Sequence, residues 1–408
     1  MTLSEELAWR GFVNQTTFDD ISTIDTSTMT FYFGVDPSAP SMTIGNLATA
    51  MMVRHFIDHG HNAILLVGGA TGMIGDPDGK SEERDLITFE ELEQNKRNIS
   101  SQYQVIFNGQ DFTLVDNHDW FKDIGYLSFL RDVGKHVPMR QMLGRDFVQA
   151  RLREDGAGIS YAEFSYALIQ GYDFLHLYRE HGATLQLCGS DQWGNSIAGV
   201  ELIRRIAGGE AHVWSAPLVI NKATGKKFGK SEAGAVWLDE SLTSPFAFYQ
   251  FWLNVDDAGV EDYLKIYTLL SKQEIEDVLA RFTDNKAARL AQKTLAYEVT
   301  KLVHGEAKAE AVQKASQVLF GEASFSDIST DEKAILEREL RVVEFTDDEL
   351  QTLVNAGLAE SKKQARTFLE AGAVSVNNTK VTLDDFSLPP GKSLLQRGKN
   401  TFAIVERK

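Results

Sequence analysis

Two segments that lie far apart in the sequence carry residues that could hold a polyphosphate. Lys227-Phe228-Gly229-Lys230-Ser231 offers two ammonium groups on either side of a glycine, and Thr43-Ile44-Gly45-Asn46 opens a predicted helix that runs to about residue 59. A helix start presents unpaired backbone amides to anions. Taken alone, the second segment is more simply a capped helix. Together the two segments favour an enzyme that holds ATP while its triphosphate is broken.

Two further polar segments each follow an apolar run that is typical of a buried strand. The first is the glycine-rich stretch from Gly68 to Pro77, which matches neither the dinucleotide-binding fingerprint nor the phosphate-binding P-loop. The second is Gly189-Ser190-Asp191-Gln192-Trp193-Gly194-Asn195. Asp191 could accept hydrogen bonds from ribose hydroxyls, or could simply cap the helix predicted to start near Trp193.

A phenol, an amide and a carboxylate share one face of a predicted helix over residues 164–178. Tyr166, Gln170 and Asp173 are spaced i, i+4 and i+7, which places them on the same side. Polar groups that face a core need partners, and a ligand with an ammonium and a hydroxyl would supply them. The alternative is that this face is exposed to solvent.

Composition limits the class of protein. The chain has 408 residues, 43% of them hydrophobic, so it can bury a full core and form two or three domains. The net charge of −17 argues against broad attraction to nucleic acid. The chain has no apolar stretch near the roughly 20 residues that span a bilayer and no secretory signal pattern at its N-terminus. These features predict a cytoplasmic protein without membrane attachment.

The residues that could bind a metal ion are few. Cys188 is the only cysteine, which excludes an intrachain disulfide and a cysteine-rich metal site. His55 and His59 stand at i and i+4 on one helix, but no third ligand lies at a helpful spacing, so we predict no protein metal site. The last residues, from 391 onward, are basic, and the tail is either a phosphate-binding surface or a solvated terminus.

The order of predicted elements gives the fold class, α/β. Strands alternate with helices over residues 1–240, which predicts a Rossmann-like catalytic domain with a mostly parallel sheet. The helical pattern of residues 241–325 predicts an all-α domain, and residues 326–344 are predicted to be a linker. Residues 345–408 predict a small α+β domain with two helices and a hairpin. The strands are predicted at 30–35, 63–68, 112–116, 184–187 and 217–220.

In combination, these segments resemble the class I aminoacyl-tRNA synthetases, and within that class the bacterial-type tyrosyl-tRNA synthetase family. The motifs at 68–72, 189–195 and 227–231 follow one another in the family's order, and the resemblance extends from Trp9 to the terminal domain. It implies activation of tyrosine with ATP, assisted by Mg²⁺, and transfer of tyrosine to tRNA(Tyr). A tryptophanyl-type synthetase and a catalytically weakened RNA-binding relative are the alternatives.

The resemblance also implies roles for individual residues. Those expected to contact the substrate tyrosine are Tyr32, Asp76, Tyr166, Gln170, Asp173 and Gln192. Those expected to contact ATP or the adenylate are Asp36, Ser38, Gly45, Asn46, Gly189, Asp191 and Lys230. Those expected to assist catalysis are Thr43, Asn46, Lys80, Arg84, Lys227, Lys230 and Ser231.

The main departure from the family lies in its His-Ile-Gly-His signature. Thr43 and Asn46 replace both histidines here. Asparagine can still donate a hydrogen bond, but threonine is shorter, which predicts that γ-phosphate stabilisation is weaker or passes to Ser38 and the lysine-containing loop. We expect this change to lower the catalytic efficiency and to leave the type of reaction the same.

The terminal domain resembles the S4 RNA-binding domain. Its second helix carries Lys362, Lys363 and Arg366, which the resemblance assigns to tRNA phosphates. A small basic face of this kind would let an acidic protein bind tRNA. Members of the family are homodimers, so the resemblance also implies a homodimer, with an interface near residues 129–161.

Overall fold

The computed structural model describes residues 1–77, 87–153, 155–156, 158–222, 224–231, 234–398 and 401–408. The α-helices are α1 (Leu3–Arg10), α2 (Ile44–Asp58), α3 (Gly69–Ile74), α4 (Phe89–Ile106), α5 (His118–Phe121), α6 (Tyr126–Asp132), α7 (Met139–Leu143), α8 (Asp146–Arg151), α9 (Tyr161–His181), α10 (Trp193–Leu202), α11 (Pro245–Leu253), α12 (Val260–Tyr267), α13 (Lys272–Asp284), α14 (Leu290–His304), α15 (Glu306–Leu319), α16 (Thr330–Glu339), α17 (Glu349–Asn355) and α18 (Lys362–Glu370). The strands are β1 (Gln15–Thr16), β2 (Thr30–Val35), β3 (Asn62–Val67), β4 (Phe112–Asp116), β5 (Leu185–Gly189), β6 (His212–Ala216), β7 (Lys230–Ser231), β8 (Gly234–Ala235), β9 (Arg341–Glu344), β10 (Val374–Val376), β11 (Thr379–Val381), β12 (Gly391–Arg397) and β13 (Thr401–Arg407).

The chain divides into two compact units. The first comprises residues 1–243 and 255–295, and the second comprises residues 244–254 and 296–408. The division falls within the segment predicted as an all-α domain, because α12 and α13 belong to the first unit and α11 and α15 to the second. Among the residues that the structure describes, no helix is long and apolar enough to cross a membrane.

The first unit is built on a six-stranded sheet with the order β1-β6-β5-β2-β3-β4. Strands β2 to β6 are parallel to their neighbours, and only β1 is antiparallel, against β6. The inner strands are nearly continuous apolar runs, as expected where both faces of a parallel sheet are covered. The chain extends from β2 to β3 and β4 on one side and from β5 to β6 on the other. The boundary between β2 and β5 is therefore the topological switch point, where ligands bind at the carboxyl ends of the strands.

The strand predicted at 217–220 is wrong. The strand at this edge of the sheet is β6 (His212–Ala216), whose Val213 and Trp214 are fully buried. Residues 217–220 follow it, and Leu218 and Ile220 are exposed. Pro217 has no backbone N–H to contribute to a sheet. The other predicted strands of this sheet match the observed ones to within two residues.

Helix α2 begins beside the cavity described below, and its first residues favour a helix start at this position. Thr43 is its N-cap residue, and the Asn46 side chain accepts from the Thr43 backbone N–H at 2.9 Å. Most of the helix is buried, including Leu47, Met51 and Phe56. The start of the helix lies at the same edge of the sheet as the carboxyl ends of β2 and β5, and its first amide, that of Ile44, donates to Val236 O at 3.1 Å.

The second unit combines helices with a five-stranded sheet of order β11-β10-β12-β13-β9. The predicted hairpin is present: β10 pairs with β11 across Asn377 and Asn378, which adopt φ angles of 47° and 68°. Asparagine tolerates this left-handed conformation better than most residues. Ser361 caps α18, and Asp348 caps α17.

The segment predicted as a linker, residues 326–344, contains regular structure. Helix α16 begins with a capping box between Ser329 and Glu332. Strand β9 pairs in parallel with β13 and so forms the edge of the second sheet. The acidic composition of the segment suggested an exposed connection, but the capping box and the strand pairing give most of its backbone hydrogen-bond partners.

Candidate active site

A cavity of about 500 Å³ opens at the switch point between β2 and β5. Its walls come from the ends of these strands, the start of α2, one face of α9 and the loop before β7. The residues predicted from the sequence that line it are Tyr32, Asp36, Ser38, Thr43, Gly45, Asn46, Asp76, Tyr166, Gln170, Asp173, Gly189, Asp191, Gln192 and Lys227. The tertiary structure thus brings together segments that are up to 195 positions apart, from Tyr32 to Lys227.

Tyr32 and Asp173 form the most deeply buried polar part of the cavity, and each is only 2% exposed. The Tyr32 hydroxyl has no hydrogen-bond partner within the part of the chain that the structure describes. Burial raises the pKa of Tyr32 well above its usual value, and the neighbouring Asp173 raises it further. Burial likewise raises the pKa of Asp173 well above the usual range for a carboxyl group. A ligand hydroxyl at this position would satisfy groups that are costly to leave unpaired.

Asp173 is held by two side chains that the sequence analysis did not select. Asn117 Nδ2 donates to one carboxylate oxygen at 3.1 Å, and Trp120 Nε1 donates to the other at 2.9 Å. Both residues lie within four positions of the end of β4, at the carboxyl edge of the sheet. This position could have identified them from the sequence, because ligands bind at that edge. Cys188 of β5 also lines the cavity, and burial raises the pKa of its thiol to about 12.

The glycine-rich stretch after β3 holds Asp36 in place. Tyr166 donates its hydroxyl proton to Asp36 Oδ2 at 2.6 Å, and Thr71 donates to Oδ1 at 2.6 Å. A Cβ atom on Gly68 would lie 2.2 Å from Asp36 Oδ1, so glycine is required for this close approach. The arrangement fixes the Asp36 carboxylate at the end of β2.

A second carboxylate, Asp76, lies beside the amides of the cavity. Gln192 Nε2 donates a hydrogen bond to Asp76 Oδ2, and Gln192 Oε1 accepts one from Asn195 Nδ2 at 3.1 Å. The buried Oε1 atoms of Gln170 and Gln186 have no partner among the described residues. Gln186, on β5, was not selected from the sequence. Carboxylate and amide oxygens at this position suit a ligand that carries an ammonium group.

The opposite end of the cavity is formed by the start of α2 and the loop after β5. The Thr43 hydroxyl donates to Asn46 Oδ1 at 2.9 Å, so the two residues that replace the family histidines are bonded to each other. Gly189 lies where a Cβ atom would come within 2.6 Å of Asp191 Oδ1. Asp191 is not an N-cap, because α10 starts after Gln192, which is the N-cap residue and makes no capping bond.

The lysine-containing loop packs against the start of α2. The Ile44 amide donates to Val236 O at 3.1 Å, and the Val236 amide donates to Gly229 O at 3.1 Å. Phe228 stacks on Tyr263 of α12 with ring centroids 4.2 Å apart, which anchors the middle of the loop. Lys227 projects from it with a largely exposed side chain, 3.8 Å from Asp191.

Four predicted catalytic residues do not appear in the cavity lining. Lys230 and Ser231 form the short strand β7, which pairs with β8. Lys80 and Arg84 lie outside the residues that the structure describes. Among the described residues, no group of three or more His, Cys, Asp or Glu side chains is arranged to hold a metal ion.

The basic residues of the second unit differ in their surroundings. Lys363 and Arg366 are exposed on α18, whereas Lys362 forms an ion pair with Asp348 at 2.7 Å. In the basic tail, Lys392 pairs with Glu337 and Lys408 with Glu344, both at 2.8 Å. The tail charges are therefore partly neutralised locally, whereas Lys363 and Arg366 of α18 are exposed.

A parallel sheet whose switch-point cavity joins a helix start and a lysine loop to a buried polar recess is the arrangement expected of a class I aminoacyl-tRNA synthetase. The family model described as tRNA synthetases class I (W and Y) matches residues 25–321, and the model described as the Tyrosine--tRNA ligase SYY-like C-terminal domain matches residues 337–407. The chain belongs to this class I family of tRNA synthetases.

Individual relatives agree with this placement. The chain is 42% identical to the tyrosine–tRNA ligase of Cytophaga hutchinsonii, over 98% of both chains. It is also 42% identical to the tyrosine–tRNA ligase of Bacteroides fragilis, over 99% of both. Among solved structures, it resembles a C-terminally truncated mitochondrial tyrosyl-tRNA synthetase of Aspergillus nidulans, with 30% identity and a TM-score of 0.71, covering 78% of this chain and 94% of the other.

Proposed function

We propose that the chain is a tyrosine–tRNA ligase, which activates L-tyrosine with ATP and transfers it to the 3′-terminal adenosine of tRNA(Tyr). One observation carries the proposal: the Tyr32 hydroxyl, which has no partner among the described residues, and the Asp173 carboxylate line the same cavity. This recess fits a para-hydroxylated side chain. The start of α2 and the lysine-containing loop form the other end of the same cavity, where a triphosphate would lie.

In the first step, the tyrosine carboxylate attacks the α-phosphate of ATP in line, and pyrophosphate leaves. Tyr32 and Asp173 orient the phenol, and Asp76 and Gln170 contact the ammonium group. The reaction requires no covalent enzyme intermediate, so the protein acts by positioning the reactants and by stabilising charge in the transition state. Tyr166 acts through its hydrogen bond to Asp36, which keeps that carboxylate at the nucleotide side.

The triphosphate meets positive groups at the start of α2 and on the loop. Unpaired amides at the helix start favour phosphate oxygens. The Asn46 amide donates from Nδ2, since its Oδ1 accepts from Thr43, and Lys227 of the cavity lining neutralises the departing pyrophosphate. Lys230 is proposed to assist it. We propose that Mg²⁺ arrives bound to ATP, because Mg²⁺ sites use substrate phosphates more than protein ligands.

Selectivity for tyrosine follows from the buried groups that its hydroxyl would satisfy. Phenylalanine would leave the buried Tyr32 hydroxyl without a partner, and it would offer no donor to the Asp173 carboxylate beyond Asn117 and Trp120. A site of this type rejects the analogue that lacks the hydroxyl, and tyrosine-selecting synthetases are the standard example of this principle.

The second unit is proposed to bind tRNA through an S4-like domain. The exposed cations Lys363 and Arg366 lie on one helix and are available to backbone phosphates. This local basic surface would overcome the repulsion expected from a net charge of −17. Charging consumes free ATP and tRNA, so we place the activity in the cytoplasm.

We also propose that the protein is a homodimer. Large apolar side chains are exposed between residues 126 and 161, and they include Tyr126, Leu127, Met139, Leu152 and Tyr161. Tyr126 and Tyr161 are adjacent, with their hydroxyl oxygens 3.3 Å apart, and contiguous exposed apolar side chains mark association surfaces. Phe129, at the predicted edge of the interface, instead packs inward against Phe121 and Tyr172.

The decisive experiment is amino-acid-dependent exchange of pyrophosphate into ATP, with tyrosine, tryptophan and phenylalanine offered singly. We expect exchange with tyrosine only. Exchange with tryptophan alone would assign the chain to the tryptophanyl enzymes, and no exchange with any of the three would favour an RNA-binding relative without activity.

A further inference from the structure

Arg145 lies outside the cavity lining but is connected to it by hydrogen bonds. It stands immediately before α8, and its guanidinium group contacts the first turn of α10. Its NH1 group donates to Asn195 Oδ1 at 2.6 Å, and its NH2 group donates to Gly194 O at 2.5 Å. Asn195 is only 3% exposed, so its amide has little access to water as an alternative partner.

The hydrogen bonds continue from Asn195 into the cavity in one direction. Asn195 Nδ2 donates to Gln192 Oε1 at 3.1 Å, and Gln192 Nε2 donates to Asp76 Oδ2. Gln192 and Asp76 both line the cavity at the position proposed for the substrate ammonium group. The series Arg145, Asn195, Gln192 and Asp76 is called the amide relay below.

The direction of the relay is set at its outer end. A guanidinium group can only donate, so it selects the oxygen of the Asn195 amide. The Asn195 nitrogen must then face Gln192, whose oxygen accepts and whose nitrogen turns to Asp76. The Asp76 carboxylate, which only accepts, favours the same orientation of Gln192 from the other end. Without the guanidinium group, the Asn195 amide could rotate by half a turn and present its oxygen to the Gln192 oxygen, which would remove the donor that supports Gln192.

We infer that Arg145 is a positioning residue for tyrosine binding, which fixes the orientation of the Asn195 amide and thereby supports Gln192 and the Asp76 carboxylate at the substrate ammonium group. The inference rests on the proposed function and adds to it a specificity-determining residue that does not touch the substrate. It concerns only the amino group, so binding of the phenol and of ATP is independent of the relay.

The test compares three variants by tyrosine-dependent pyrophosphate exchange. Arg145→Ala removes the donor and should raise the KM for tyrosine about tenfold, as expected for a disturbed hydrogen bond to a charged group. Arg145→Lys retains a donor-only cation and should restore much of the affinity. Asn195→Asp keeps and strengthens the contact with Arg145 but can no longer donate to Gln192, so it should raise the KM for tyrosine as much as Arg145→Ala does.

Asn195→Asp separates the relay from a merely structural role of Arg145. A structural role predicts a normal KM for tyrosine in this variant, because the ion pair still holds α8 to α10. The KM for ATP should stay constant in all three variants. Inhibition by 3-(4-hydroxyphenyl)propionate, which lacks the amino group, should also stay constant.

The outcomes distinguish the two levels of the proposal. If the wild-type protein shows no tyrosine-dependent exchange, the proposed function itself fails. If the wild type is active and Asn195→Asp binds tyrosine normally, the relay is refuted while the function stands. The same holds if Arg145→Ala and Asn195→Asp weaken the binding of 3-(4-hydroxyphenyl)propionate as much as they weaken the binding of tyrosine. Thermal unfolding of each variant identifies any that does not fold.

Discussion

Gly229 of the lysine-containing loop lies directly against Ile44 in the first turn of α2. Its φ angle is 113°, and a Cβ atom at this position would lie 3.3 Å from Ile44 Cγ1 and 3.7 Å from the Gly45 amide nitrogen. The contact places the loop beside the helix start that is proposed to bind the triphosphate. The glycine between the two lysines therefore allows the close approach as well as the unusual backbone conformation.

Gly229→Ala should lower the rate of adenylate formation. The φ angle is unfavourable for alanine by about 1–3 kcal/mol, and the methyl group would press on α2. We expect a decrease of about tenfold or more in kcat for pyrophosphate exchange, with a smaller effect on the KM for tyrosine. Gly234→Ala is the matched control, since Gly234 has the same φ angle, 113°, but a Cβ there would contact nothing within 4 Å. Equal losses in both variants would show that backbone strain alone is responsible.

Tyr32→Phe should affect stability and tyrosine binding differently. The Tyr32 hydroxyl is buried without a partner among the described residues, so its removal should leave the thermal midpoint unchanged or slightly raised. Tyrosine should bind about five- to tenfold more weakly, because a hydrogen bond to its phenol is lost, and phenylalanine should compete better. Thermal unfolding and exchange assays with both amino acids measure these effects. Undiminished discrimination against phenylalanine would remove Tyr32 from the specificity site.

Lys363→Glu should impair charging of tRNA while it leaves adenylate formation intact. Lys363 is exposed on α18, in the second unit, and reversal of its charge would repel a phosphate. We expect a severalfold increase in the KM for tRNA, which grows smaller as the salt concentration rises. Lys286→Glu, another exposed lysine, serves as the control for net charge. If both variants charge tRNA normally, α18 is not the tRNA-binding surface.

Leu127→Glu should weaken the proposed homodimer. Leu127 is 79% exposed, the most exposed of the large apolar side chains between residues 126 and 161, so the substitution should not disturb the fold of the single chain. Sedimentation velocity should show a lighter species at micromolar concentration, whereas Leu242→Glu, at an exposed leucine outside this region, should not change the particle mass. A wild-type protein that sediments as a monomer would exclude the dimer at once.

Acid should destabilise the folded protein through His55. Burial lowers the pKa of His55 to about 3, and the nearby Arg10, His59 and Arg54 contribute in the same direction. Glu6 lies 3.5 Å from its Nδ1 atom, but this carboxylate is already held by Arg10 at 2.8 Å. The unfolded chain therefore binds one proton more than the folded chain between about pH 6.5 and 3.

The sign of this effect is fixed by the lowered pKa. The contribution of His55 to stability is present above about pH 6.5 and is lost as the pH falls, by about 1.4 kcal/mol per pH unit. His55→Gln should flatten the decline of the unfolding free energy between pH 6 and 4, as measured by urea unfolding. Parallel curves for the two proteins would contradict the assignment.

Local patterns in the sequence were sufficient for most elements of the fold. Continuous apolar runs predicted β2, β3 and β4, and the spacing of Tyr166, Gln170 and Asp173 predicted their common face on α9. The strand expected at 217–220 was wrong because its hydrophobic residues are exposed, and the buried run beside it, 212–216, forms the strand. Exposure at the end of a strand depends on the neighbouring elements, which a local pattern does not contain.

The sequence by itself determined the order of the elements, the polar residues at their ends and the family that these motifs resemble. The tertiary structure alone decided which groups meet: Asn117 and Trp120 bind Asp173 across more than 50 positions, and Arg145 reaches Asn195 across 50. The physical reason is that periodicity and capping act between residues a few positions apart, whereas hydrogen bonds inside a cavity depend on how distant segments pack and on which donors are left to meet which acceptors.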